Sequence, residues 1–210
     1  MRQIAFWCAI SSYVLFIPLV IYSAAIYPGY DHASRFISEL GASGAPTETL
    51  IRFGTFLPAG ILLMLFSLAA AKVLPRSTLA TFGFGLLAYN GFGMMAAAFF
   101  PCDVGCRPES PSASQIIHNL LGLGGYLAAV LGLMVLGVQA RHWQGLSHLF
   151  PLGLGCGILG FLSLLFIDPG FYYAGVAQRL LEICVAAWTL SCAWGIRKYR
   201  LPLQIADFET

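Results

Sequence analysis

Charge is scarce in this chain: only a tenth of its 210 residues are Asp, Glu, Lys or Arg, while 59% are hydrophobic. With a mean hydropathy of +0.80, that balance excludes a soluble globular domain and points to a polytopic membrane protein. The motifs of the commonest soluble chemistries are missing too. No P-loop, H-E-x-x-H or G-x-S-x-G occurs, so those routes to P-loop nucleotide, metal-protease and serine-hydrolase chemistry are closed. The formal net charge is only +2, and the basic residues flank apolar runs instead of forming a stripe with interleaved aromatics. Nucleic acid is therefore excluded as a partner. No internal repeat is visible, and Pro18 and Pro58 do not occupy corresponding positions, so the paired broken helices of a secondary transporter are lacking.

What the chain has instead is apolar length. Runs long enough to cross a hydrocarbon core of roughly 30 Å, about 20 helical residues, cover residues 4–27, 53–73, 78–100, 116–138, 149–167 and 175–196. They are continuous and do not alternate, which predicts helices and not a barrel. The expected fold is all-α, one membrane domain over residues 1–210 with six transmembrane helices. The first run imitates a secretory signal, with Arg2 ahead of it and Ser23, Ala24 and Ala25 near its end, but it exceeds a typical signal core and is read as a retained span.

Arg2, Lys72, Arg76, Arg141, Arg197, Lys198 and Arg200 all flank spans on the face that carries both termini. By the positive-inside rule that face is cytoplasmic, as in a multi-pass protein of a bacterial inner membrane. Seven of the nine carboxylates, Asp31, Glu39, Glu48, Asp103, Glu109, Asp168 and Glu182, then lie in or beside the three outward loops. Arg35, Arg52, Arg107, Arg179, His32 and His118 go with them. Polar groups gathered at membrane depth are a functional-site hypothesis by default. Most of the Trp and Tyr residues, among them Trp7, Trp143, Trp188 and Trp194, fall near span ends as an interfacial belt would.

The first outward loop begins with turn residues, offers Asp31 as an N-cap and closes at Gly41, which predicts a short interfacial helix. At about 100° per residue, His32, Arg35 and Glu39 fall within roughly 60° of one another, with Ala33, Phe36, Ile37 and Leu40 opposite. That polar face either meets water or lines a pocket at the bundle mouth. In the second loop, Ser112 and Gln115 form a capping box, so the fourth span should begin near Ala113. His118 then stands in its second turn, with Asn119 beside it, where the helix macrodipole favours the neutral ring that acts as base or ligand. A bond to a loop carbonyl is the plainer role for that ring.

Cys102 and Cys106 bracket Asp103 in a C-x-x-x-C spacing that matches neither the redox nor the zinc pattern. In an oxidising periplasm a structural disulfide is the expected reading. Beyond the third loop, Gln178, Arg179 and Glu182 share a helical face, and an Arg179–Glu182 pair would offset a carboxylate inside an apolar run; alternatively Arg179 reaches a lipid phosphate or carboxylate. Asn90, mid-span, is expected to make an interhelical hydrogen bond.

The order Asp31-His32-Ala33-Ser34-Arg35-Phe36-Ile37-Ser38-Glu39-Leu40-Gly41-Ala42, Phe100-Pro101-Cys102-Asp103, His118-Asn119 and Gly175-Val176-Ala177-Gln178-Arg179-Leu180 resembles the bacterial and archaeal membrane family known as domain of unknown function 998. The resemblance covers nearly the whole chain. It implies a similarity, more distant, to eukaryotic six-span proteins of the autophagy-modulator-like group, which include a factor in lipid remodelling of GPI anchors. The functional implication is a lean toward lipids.

Two functions compete closely on these residues. One is an intramembrane enzyme acting on lipid ester, amide or phosphate groups, a hydrolase or transferase. His118 would be general base, Asp103 or Glu39 its orienting carboxylate and Ser38 a nucleophile, while Arg35, Arg179, His32, Glu182 and Asn119 would bind substrate. Its metal version places a divalent ion such as zinc on His32, His118 and Asp103 with water as the fourth ligand. The other is a protein that binds or transports a membrane lipid or small amphiphile. A third, an accessory subunit docking an unidentified protein partner through its loops, ranks behind both.

Overall fold

Each apolar run folds into a helix because, away from water, a helix satisfies its own backbone N–H and C=O groups. The computed structural model describes residues 1–198, so Arg200, Asp207 and Glu209, and the end of the expected domain, lie outside the described residues. Six principal helices follow one another: α1 (Arg2–Ile26), α2 (Glu48–Val73), α3 (Thr78–Phe99), α4 (Ala113–Ala140), α5 (Leu149–Leu164) and α6 (Ala174–Lys198). No strand occurs among the described residues. The protein is an all-helical, multi-pass membrane chain, five of whose helices are long and apolar enough to cross a bilayer.

α5 is the exception. Its 16 residues reach about 24 Å at 1.5 Å each, short of the core thickness that the expected 149–167 run would match. It stops early because Phe166 and Ile167 donate to Ser163 and Leu164, three residues back, and close tighter turns.

Helix starts follow local chemistry. Ser77 Oγ accepts from Ala80 N at 3.0 Å to open α3, and Ser112 Oγ accepts from Gln115 N at 3.1 Å to open α4, as the capping signal predicts. The return half of that box is replaced: Ser112 N donates to Asp103 Oδ2 at 2.9 Å, and Gln115 Oε1 accepts from Asp103 N at 2.8 Å. In α2, residues 52–56 form a π turn directly before Leu57 and Pro58. Proline has no N–H to donate, and the widened turn absorbs the break without ending the helix.

Neighbouring helices meet through glycine. A Cβ on Gly60 would fall 2.5 Å from Gly91 O across the α2–α3 seam, and one on Gly153 would fall 2.6 Å from Gly137 Cα across the α4–α5 seam. Close backbone approach of this kind is what small residues supply where lipid offers no hydrophobic drive between helices. Trp143 and Trp188 do not face lipid as belt residues would: both are buried, Trp143 stacking on Phe84 at 6.2 Å, so packing volume decides their place. Trp7 and Trp194 are exposed. Arg197 lies over Phe6 at 4.5 Å, bringing the start of α1 and the end of α6 to one end of the bundle.

Candidate functional site

At the opposite end the three connecting segments interlock. The stretch expected to form one interfacial helix is broken in two: a turn over Asp31–Arg35, an extended Phe36, then a 3₁₀ helix over Ile37–Gly41. Asp31 caps the turn as anticipated, accepting from Ala33 N and Ser34 N at 3.1 Å and from Ser34 Oγ at 2.7 Å. Those bonds hold its carboxyl below the usual range.

A continuous helix fails because the turn's carbonyls are taken by α6. Val176 N donates to Ala33 O and Arg179 Nη1 to Arg35 O at 2.9 Å, and a Cβ on Gly175 would sit 2.7 Å from His32 O. His32 is exposed and packs edge-on to Tyr30. Glu39 is buried and accepts from Phe36 N at 3.0 Å; Arg35 Nε is 4.0 Å away. Burial raises the Glu39 carboxyl above its ordinary value, against the lowering effect of the Phe36 N–H and of Arg107, Arg35 and Arg179.

Cys102 and Cys106 are joined as a disulfide, their Cα atoms 5.0 Å apart. The staple packs under the first loop: Ser43 N donates to Cys102 O, and Ser38 Oγ lies 3.6 Å from Cys106 Sγ. Asp103 accepts from Ser112 through both carboxylate oxygens, which holds its carboxyl low. His118 Nδ1 donates to Phe100 O at 2.8 Å. The ring is thus oriented by a backbone carbonyl, and neither Asp103 nor Glu39 bonds to it among the described residues. Asn119 accepts from Gln115 Nε2 at 2.8 Å.

The proposed metal trio does not assemble. Among the described residues no group of three or more His, Cys, Asp or Glu side chains is placed to hold a metal ion. Asp103 faces its helix cap, His32 its tyrosine and His118 its carbonyl, so each is held by a different local partner.

The Arg179–Glu182 pair is also absent. Arg179 reaches back to Arg35 O, Gly175 O and Tyr30 Oη, because three oxygens at the loop outcompete one carboxylate a turn below. Glu182, buried in α6, instead accepts from Tyr126 Oη at 2.8 Å. Tyr126 Oη accepts from Gln178 Nε2 at 3.0 Å, and Gln178 Oε1 accepts from Ile37 N at 2.6 Å. A relay of four groups therefore ties the 3₁₀ helix to the centre of the bundle.

Beneath that 3₁₀ helix is a cavity of about 70 Å³, with Ser38, Asn90, His118, Tyr126, Gln178 and Glu182 in its wall. Phe16, Ile37 and Glu182 also line a larger groove of about 300 Å³ between α1 and α6, where Ile17, Ile21 and Ile183 are exposed and His32 and Arg179 stand at the loop end. On the other side Ser38, His118, Tyr126 and Gln178 adjoin a vestibule that reaches Asn119, Cys106 and Pro169.

Of the expected site residues, Ser38, His118 and Glu182 meet at the cavity, and Arg179 and His32 meet at the groove. Asn119 reaches the vestibule. Glu39, Asp103 and Arg35 line none of the three spaces. Tyr126 was not anticipated, though a tyrosine amid Gly122, Gly124 and Gly125 is a polar tip with open backbone around it. Asn90 makes no side-chain hydrogen bond among the described residues and lines the cavity, in place of the interhelical bond expected. Neither a curated protein nor a solved structure matches the chain. Over residues 10–195 it matches the family described as protein of unknown function (DUF998), and it is a member of that family.

Proposed function

We propose that this protein binds a membrane lipid or similar amphiphile, with the apolar chain in the α1–α6 groove and the polar end in the cavity under the 3₁₀ helix. One observation carries the reading: Glu182, Phe16 and Ile37 belong to both spaces, so an apolar groove adjoins a chamber with a few polar groups in its wall. Two-part pockets of this kind, mostly apolar with a few placed polar groups, are the usual form of a small-ligand site. In the same reading all six helices cross a bacterial inner membrane with both termini cytoplasmic, the basic end facing inward and the loop end facing out.

Ala186 lies in the groove wall. The Ala186→Trp variant should fold and lose the lipid that native mass spectrometry detects on the wild type. A wild-type protein that is lipid-free under these conditions would overturn the reading and favour an accessory role.

A second reading, lipid turnover, is supported by Ser38 and His118 sharing the same two spaces. The Phe100 carbonyl fixes Nδ1 as the protonated nitrogen, which leaves Nε2 as the basic one, the tautomer a serine nucleophile requires. If it is correct, His118→Ala abolishes product formation from bound lipid without releasing that lipid.

A further inference from the structure

The cavity wall is rich in acceptors and has no cation. Gln178 uses its oxygen on Ile37 N and its nitrogen on Tyr126, while Tyr126 donates to Glu182 and accepts from Gln178. Those groups are satisfied. Glu182 keeps one carboxylate oxygen without a hydrogen bond among the described residues, and the described ion pairs, Arg35–Glu39 and Arg52–Glu48, do not involve it. Asn90, 5% exposed, presents an unpartnered carboxamide to the same space. His118 and Ser38 stand in that wall too, His118 with Nε2 unpartnered because its bond runs through Nδ1.

A carboxylate at membrane depth with no counter-charge is costly, and Arg179, three residues earlier on α6, is tied to Arg35 O, Gly175 O and Tyr30 Oη. Arg179 lines the groove and not the cavity. An anionic headgroup drawn into the chamber would meet the Glu182 carboxylate. A donor carrying positive charge would meet Glu182, the Asn90 oxygen and His118 Nε2, and would supply the missing partner.

Resting on the amphiphile reading above, we infer that the chamber is built for a protonated amine, the polar end of an amine-bearing amphiphile. Glu182 is its charge partner and Asn90 its hydrogen-bond acceptor. The ammonium displaces no structural bond, because the oxygens it uses have no other partner. An adjoining anionic group on the same molecule would lie one helical turn away, toward Arg179.

The test titrates the purified full chain in nonionic detergent with dodecylamine, dodecanol and dodecyl phosphate, with Ala186→Trp correcting for micelle partition. Dodecylamine should bind at least tenfold tighter than dodecanol, and dodecyl phosphate weakest. Glu182→Gln should erase the amine preference while dodecanol still binds. Asn90→Leu, at a position that makes no structural hydrogen bond, should weaken amine binding severalfold, and it serves as the second variant if Glu182→Gln does not fold.

Equal wild-type binding of amine and alcohol, or an amine preference that survives in Glu182→Gln, overturns the inference but leaves the amphiphile reading standing. Failure of all three chain-bearing probes overturns both. Ethanolamine without a chain distinguishes the source: if it competes as well as dodecylamine the ligand is a soluble amine, and if it does not the ligand is a lipid.

Discussion

Two seams of the same bundle are built in opposite ways. Between α4 and α5, Gly137 and Gly153 press backbone against backbone, so that a Cβ on Gly153 would lie 2.6 Å from Gly137 Cα and 2.7 Å from Leu133 O. Between α1 and α6, branched side chains replace glycine: Ile17, Ile21 and Ile183 point outward and leave a groove that runs to Glu182. The closed seam gains dispersion contacts and excludes everything else. The open seam forgoes them, and a bundle that can close one interface so tightly leaves the other open beside the chamber that Glu182 lines. Packing in membranes has no hydrophobic drive between helices, so which seams close is decided by where small residues stand.

The largest effect that would break this comparison is at the closed seam. Gly153→Leu forces two backbones apart and should cost ~3 kcal/mol or more, read as lost monodisperse protein or a large fall in Tm in detergent. Retention of wild-type Tm would mean the seam is not tight. Ala186→Trp, at the open seam, should leave Tm near wild type while removing bound lipid, since it fills space that no side chain occupies.

Cys102→Ser or mild reduction should lower stability by ~2 kcal/mol, the low end for a disulfide because the closed loop is short. The loss should appear in proteolysis of the loop end and not in helix content by circular dichroism.

The smallest effect concerns pH. Burial raises the folded-state value of Glu39, so the folded protein holds that proton more tightly than the unfolded chain. Its relative contribution is intact below the ordinary carboxylate range and declines as pH rises through the raised value. Glu39→Gln should flatten that decline in a series of Tm against pH. Asp31 and Asp103, held low by their hydrogen bonds, act in the opposite sense: their stabilisation is lost as pH falls through their lowered values. A Tm series for Glu39→Gln that runs parallel to wild type would show the carboxyl to be solvated in the folded state.

Much of the loop end was legible residue by residue. Ser112 announced the start of α4 and the C-x-x-x-C spacing announced a staple, each through neighbours within a few positions; for His118 a loop carbonyl stood beside the general-base role, and the structure gives it the carbonyl of Phe100, 18 residues back. α5 ends short through its own tight turns, but two failures at the loop end involve a partner far along the chain. Asp31 to Gly41 has the helical signals, yet α6 takes the carbonyls of Ala33 and Arg35. Arg179 and Glu182 share a face at i,i+3, but Arg35 and Tyr30, more than 140 residues earlier, capture the guanidinium. Glu182 then turns to Tyr126, 56 residues away. Asn90 stood out as a polar residue in mid-span, but nothing local shows that it and Tyr126 line the same cavity.

The amino-acid order alone determined that the chain is helical and membrane-embedded, because apolar length and backbone satisfaction in lipid leave no other solution. It also determined which residues gather at the loop end, since charge is costly at the centre of a span. Tertiary structure alone decided which of those groups serve the fold and which face an open space. That choice turns on competition between oxygens for a limited number of N–H and O–H donors, and it is resolved only when segments far apart in the chain come within hydrogen-bonding distance.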